Sequence, residues 1–166
     1  MTLTLPPSLP PAPVRALRLD RKVEECWKLL PQLSARVVAF GIRVGQQNAE
    51  GLARRVEASF VLGDQAETAL AAWIAVEGDR VVGHLLATQE VYNDETIGMV
   101  SQVAYDSRRV PEAIRRDVLF ELEQWRDEHK FPRLLMITSR FRPRAWAKRA
   151  GFKKWREIYS SEGGTT

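Results

Sequence analysis

The sequence predicts a single α/β domain, an α+β arrangement in which a mixed, mostly antiparallel sheet is flanked by helices. Three apolar segments, Leu70 to Val76, Val81 to Gln89 and Thr96 to Tyr105, follow one another with only tight turns between them, as consecutive antiparallel strands do. An amphipathic segment then runs to Lys130 and leads into the short, continuously apolar run Leu134 to Thr138, which reads as a central strand. The 166 residues fit one such domain and suffice to bury a core.

Each element has its own local signal. Five prolines between Pro6 and Pro13 favour polyproline II, so residues 1–13 read as an arm ahead of a domain spanning residues 14–160, with a tail at 161–166. Val14 to Leu19 reads as a strand, and Asp20 as the cap of a helix over Arg21 to Leu30 whose apolar face is Val23, Cys26, Trp27 and Leu30. Pro31 is expected to stop that helix. Leu33 to Val44 fits either a buried strand or a helical turn broken by Gly41 and Gly45. Asn48 caps a further helix with Leu52, Val56 and Phe60 on one face, ending near Gly63.

The hairpin turns are Glu77 to Arg80 and Tyr92 to Glu95, both rich in Gly, Asn and Asp. Pro111 stands at the first position of a helix whose buried face is Ile114, Val118, Leu122 and Trp125. A helix over Pro143 to Ala150, ended by Gly151, and a strand over Lys153 to Tyr159 complete the chain. All five tryptophans, Trp27, Trp73, Trp125, Trp146 and Trp155, read as core.

Composition narrows the function classes. With 45% apolar and 28% charged residues the chain reads as soluble and globular. It contains no apolar run of transmembrane length and no signal-peptide pattern, so a cytoplasmic location is expected. Cys26 is alone, which excludes an internal disulfide and a cysteine-built zinc site, and its helical neighbours suggest a buried thiol. His84 and His129 are far apart in the chain, so no metal site is expected. A net charge of +4 suits a phosphorylated ligand. The run Arg140, Arg142, Arg144, Lys148, Arg149, Lys153, Lys154 and Arg156 adds a basic surface, but without a helix-turn-helix or zinc motif nucleic acid is not the expected partner.

The most specific stretch is the last third. Val100 to Asp106 runs through Ser107-Arg108-Arg109-Val110-Pro111 into a helix, followed by an apolar strand and then Trp146-Ala147-Lys148-Arg149-Ala150-Gly151-Phe152. That order resembles the acyl-coenzyme A binding half of the GNAT superfamily of N-acetyltransferases, over Ala71 to Tyr159. The resemblance implies a GNAT-like fold and acetyl-CoA as cosubstrate. It also implies that backbone groups around Gln102, Val103 and Tyr105 hold the acyl arm.

In that family a loop of the form RxxGxG or RxxGxA aims N–H groups at the pyrophosphate from a helix N-terminus. Its counterpart is Arg108, Arg109, Val110, Glu112 and Ala113, a degenerate version without the first glycine and with Pro111 removing one donor. Trp146 is a candidate to stack on the cofactor's ring. The family tyrosine that commonly protonates the leaving thiolate falls at Ala147, so that role does not transfer; Tyr105 reads as a packing or cofactor-wall residue.

Acetyl transfer needs a neutral amine, and Glu90 and Glu95 are the candidate catalytic bases near the acceptor side. The acceptor would be an amine-bearing small molecule or protein, bound by loops such as Leu33 to Gln47. The expected function is acetyl transfer from acetyl-CoA to such an amine. The alternative is a catalytically inactive GNAT-fold assembly component, phage-like and located in a virion, favoured by the glycine-less loop and the missing tyrosine. The arm is a candidate docking segment for a protein partner, and Trp155 and Tyr159 are candidates for a homo-oligomer edge.

Overall fold

The computed structural model describes residues 12–136. The arm, Trp146, the basic run from Arg140, the predicted last helix and strand, Trp155, Tyr159 and the tail lie outside the described residues.

The chain forms β1 (Val14–Arg18), α1 (Glu24–Val44), α2 (Ala49–Leu62), β2 (Leu70–Glu77), β3 (Arg80–Tyr92), β4 (Glu95–Tyr105), α3 (Glu112–Glu128) and β5 (Leu134–Met136). The five strands lie in the order β1-β2-β3-β4-β5, antiparallel up to β4, with β5 parallel to β4 across the α3 crossover. The three consecutive strands read from the sequence are therefore present. Both hairpin turns are two residues long: Gly78-Asp79, with Gly78 at φ 63°, and Asn93-Asp94, where both residues have positive φ and match the twist of the flanking strands.

Alternation along the strands divides the core into two layers. Ala72, Ile74, Val76 and Leu86 pack with Leu29, Leu33 and Val37 of α1 and Leu52 and Val56 of α2. Ala71, Trp73, Leu85, Ala87 and Val100 pack on the opposite face with Val118, Leu122 and Trp125 of α3. Among the described residues no helix is long and apolar enough to cross a membrane.

The first helix departs from the sequence expectation. Pro31 does not stop it: α1 runs on to Val44, so Leu33 to Val44 is helix, neither strand nor loop. An interior proline removes one backbone hydrogen bond and costs about 3 kcal/mol. Pro31 faces solvent, however, while Cys26, Leu29, Leu33, Val37 and Phe40 bury one continuous face, and burial of about 2 kcal/mol per large side chain outweighs that loss. Gly41 lies inside the helix, and Gly45 ends it at φ 70° in the left-handed region.

Asp20 does not cap α1 either. Its Oδ1 accepts the Lys22 N–H at 2.8 Å and its backbone oxygen accepts the Val23 N–H at 3.0 Å, forming a turn before the helix opens at Glu24. Asn48 does cap α2, accepting the Gly51 N–H at 3.1 Å. Trp73 and Trp125 are core residues at 1% exposure, but Trp27 is 48% exposed, meets Phe60 in a T-shaped contact and donates its Nε1–H to Arg21 O at 2.8 Å. The buried stripe of α1 passes through Cys26 and Leu29 and leaves Trp27 on the flank.

Candidate functional site

The candidate site is organised by an irregularity in β4. Leu86 pairs with Gln102 and Ala87 with Val100, so Ser101 is an extra residue bulged out of the ladder. Two successive side chains consequently point to the α1/α2 face. Ser101 Oγ lies 3.0 Å from Thr88 Oγ1, and Gln102 reaches the backbone of α1. β5 pairs with Gly98, Met99 and Val100, immediately before the bulge. A bulge releases backbone groups from the ladder and bends the strand, so β4 changes direction where its pairing with β5 has just been made.

Beneath the bulge is a buried polar seam. Gln102 Nε2 donates to Val37 O at 3.1 Å and to Gln46 Oε1 at 2.7 Å, which leaves its Oε1 to accept from His84 Nε2 at 2.8 Å. This assigns the proton of His84 to Nε2 and leaves Nδ1 an acceptor, buried and without a partner among the described residues. Burial lowers the His84 pKa to about 4, against the opposing hydrogen bond from Gln102 and with the positive Arg36 nearby adding to the effect, so the ring is neutral at pH 7. The Gln102 side chain thus serves α1 and the α1–α2 connection, and only its backbone can face a ligand on the β5 side.

The loop after β4 turns on Asp106. Its carboxylate accepts the Arg108 N–H at 3.1 Å, and its backbone oxygen accepts the N–H groups of Arg109 at 3.0 Å and Val110 at 2.9 Å. Val110 is 3% exposed and packs its side chain with Ala75 and Val82. The Arg109 guanidinium pairs with Glu77 at 3.0 Å and Asp106 at 3.4 Å. Arg108 is exposed and makes no ion pair among the described residues. Pro111 stands one position before α3, so Glu112 and Ala113 form its first turn, with Ala113 exposed.

Tyr105 packs across Gly83, where a side chain would come within 2.6 Å of the tyrosine ring, and under the Arg115 guanidinium at 5.5 Å. Val103 lies on the same α3 face. Burial raises the Tyr105 pKa and its hydroxyl has no partner among the described residues, so it is a packing residue that keeps its proton.

Neither a family model nor a curated protein sequence matches the chain. Solved structures do. A protein predicted to be an acetyltransferase, from Clostridium acetobutylicum and solved with acetyl-CoA, aligns with a TM-score of 0.62 at 16% identity, over 88% of this chain and 96% of its own. An aminoglycoside acetyltransferase from an uncultured soil metagenomic sample, in complex with sisomicin, aligns with a TM-score of 0.53 at 15% identity, over 88% and 91%. An integron cassette protein from the mobile metagenome of Cole Harbour Salt Marsh gives 0.58 at 18% identity, over 88% and 86%. The fold is that of the GNAT acetyltransferases.

Within this GNAT fold the two candidate carboxylates part company. Glu90 lies on the α1/α2 face, two residues along β3 from Thr88 and so about 7 Å from it, and pairs with Arg55 of α2 at 3.2 Å. Glu95 opens β4 and pairs with Arg133 at 2.7 Å. Six residues of strand, about 20 Å, separate it from Ser101. His84, Gln46 and Asp106 carry the polar organisation of the site and were not singled out by the sequence. β3 is buried on both faces from Val81 to Thr88, so no alternation in its sequence marks the side on which His84 meets Gln102.

Proposed function

We propose that the protein is an N-acetyltransferase that binds acetyl-CoA beside the β4–α3 loop and passes its acetyl group to an amine held on the α1/α2 side of β4. The observation that carries this reading is the bulge at Ser101 within a GNAT fold, on the strand that leads through the exposed Arg108 of the β4–α3 turn into the N-terminus of α3. The residues present fit the coenzyme with a reduced donor set. Asp106 already occupies the N–H groups of Arg108, Arg109 and Val110, so the Arg108 guanidinium and the first-turn N–H groups of α3 at Ala113 and Ile114 would hold the pyrophosphate.

Bound there, acetyl-CoA supplies an activated acetyl thioester. The backbone from Gln102 to Tyr105 orients the acyl arm, with Val103 and Tyr105 as apolar wall. Arg109 steadies the loop through Glu77 and Asp106. Glu90 is the carboxylate better placed to accept a proton from the amine, by its face and its distance from Thr88; Glu95 sits at the far end of β4. Trp146 retains the stacking role proposed from the sequence.

Isothermal titration with acetyl-CoA tests the reading. Micromolar binding that falls about tenfold or more in Arg108→Ala is expected, as for loss of a charged hydrogen bond. A well-folded protein that takes up no acetyl-CoA at millimolar concentration would overturn it.

A further inference from the structure

The bulge in β4 is made by Ser101, yet the hydroxyl of that residue has no part in the chemistry described above. In the ladder Thr88 pairs with Met99, so Ser101, two residues further along, leans diagonally across Thr88 on the α1/α2 face, and the two hydroxyl oxygens lie 3.0 Å apart. Thr88 is 1% exposed, and its side chain has no other partner among the described residues. If Thr88 only accepted, its own proton would be buried and unbonded, which is unfavourable. Thr88 is therefore the donor and Ser101 the acceptor, with the branched Thr88 side chain holding the direction of the bond.

That polarity leaves Ser101 with a proton to give. Its side chain is half-buried, so the O–H has an open side. A hydroxyl that already accepts one hydrogen bond also donates a stronger one. The other polar β3 and β4 side chains that flank the bulge have no proton to spare. Gln102 uses both amide hydrogens on Val37 O and Gln46 Oε1, and His84 gives its ring proton to Gln102. Tyr105 packs on the α3 side of the sheet with its hydroxyl buried. Ser101 follows Val100, which pairs with Met136 of β5, and precedes the backbone from Gln102 to Tyr105 along which the acyl arm is proposed to lie.

Attack of an amine on a thioester develops negative charge first on the carbonyl oxygen and then on the departing sulfur, and a donor aimed at either lowers the barrier. Strand backbone is already assigned to the acyl group, whereas the sulfur has no donor. We propose that Ser101, oriented by Thr88, is a catalytic residue that gives its hydroxyl hydrogen bond to the coenzyme A sulfur as the acetyl group departs. This role rests on the acetyltransferase reading and adds to it the fate of the leaving group. In that step the amine nitrogen bonds to the carbonyl carbon and the carbon–sulfur bond breaks with its electron pair on sulfur. The amine proton passes to Glu90, and Ser101 keeps its own proton while it holds the thiolate. Thr88 is a positioning residue, acting only through the direction of the Ser101 hydroxyl.

Coenzyme A alone is the probe, so the test needs no acceptor. Its thiol is titrated by ultraviolet difference absorbance at saturation against the unliganded protein, which subtracts Cys26 and the tyrosines; above pH 7 His84 stays neutral. The charged groups on this side of the sheet, Glu90 of β3, Arg36 and Arg43 of α1 and Arg55 of α2, are common to every variant. The bound thiol should ionise about one to two pH units lower in the wild type than in Ser101→Ala, as for a hydrogen bond to a charged group. Ser101→Thr should keep that shift, Thr88→Val should lose part of it and Thr88→Ser should restore it. Equal thiol pKa values in the wild type and Ser101→Ala would overturn the role of Ser101 alone. So would a shift lost as fully in Ser101→Thr, which would trace it to the shape of the bulge, and a wild-type value in Thr88→Val would remove Thr88 as the orienting residue. Failure of coenzyme A to bind the folded wild type at millimolar concentration would instead overturn the acetyltransferase reading, and this role with it.

Discussion

The Nε2 atom of His84 lies 2.8 Å from Oε1 of Gln102, and both side chains are sealed beneath α1. This contact fixes the tautomer of one residue and the amide orientation of the other. Through Gln102 it ties two strands to Val37 in the middle of α1 and to Gln46 beyond its end.

Acid should weaken the fold through this ring. The unfolded chain protonates His84 near pH 6.5 and the folded protein only near pH 4. The contribution is fully present above pH 6.5, falls by up to about 1.4 kcal/mol per pH unit as the pH drops toward 4, and levels off below; the total is about 3 kcal/mol. Urea unfolding at pH 7 and pH 4 measures it. His84→Gln should lose less stability over this interval than the wild type, and equal losses would exclude His84 as the source.

Replacing Gln102 with Leu should cost about 2–3 kcal/mol, because Gln46 Oε1 and the His84 N–H are left buried or unpaired. The double variant His84→Leu/Gln102→Leu should lose less than the sum of the two single changes, since removing both partners leaves fewer orphaned groups. Denaturant titration of all four proteins closes the cycle, and strict additivity would show that the two side chains do not act together.

Pro31 is exposed in the interior of α1 and leaves the carbonyl of Trp27 without its helical donor. Pro31→Ala restores that donor. The expected gain is about 1–2 kcal/mol, smaller than the interior penalty because the unfolded alanine chain is freer. A lowered unfolding midpoint would mean that the proline shapes the helix to fit the sheet.

Tyr105 carries a buried hydroxyl with no partner among the described residues. Tyr105→Phe should leave stability unchanged or raise it by about 1 kcal/mol, since it deletes a desolvated polar group and keeps the ring over Gly83. If the protein transfers acetyl groups, its kcat should be unchanged in this variant. A loss of a hundredfold or more would give the hydroxyl the acid role left open by Ala147.

Much of the chain was legible because its signals are local. The Asn93-Asp94 and Gly78-Asp79 turns define their hairpins within a few residues, Asn48 caps α2 by its own side chain, and Val118, Leu122 and Trp125 mark the buried face of α3 through helical spacing alone. The loop from Arg108 to Ala113 could likewise be located in advance by its place between a strand and a helix. Its internal wiring could not: Asp106 captures three N–H groups only once β4 has ended at Tyr105 and the chain has turned.

The sequence by itself determined the order of elements and the mixed sheet, since these follow from periodicity and turn chemistry read along the chain. Tertiary structure decided the rest. Pro31 lies within a helix because the sheet rewards burial of Leu33 and Val37 by more than the lost hydrogen bond. His84, Gln102 and Gln46 meet because antiparallel register and the bulge at Ser101 bring residues distant in sequence under one helix, a juxtaposition that no local pattern encodes.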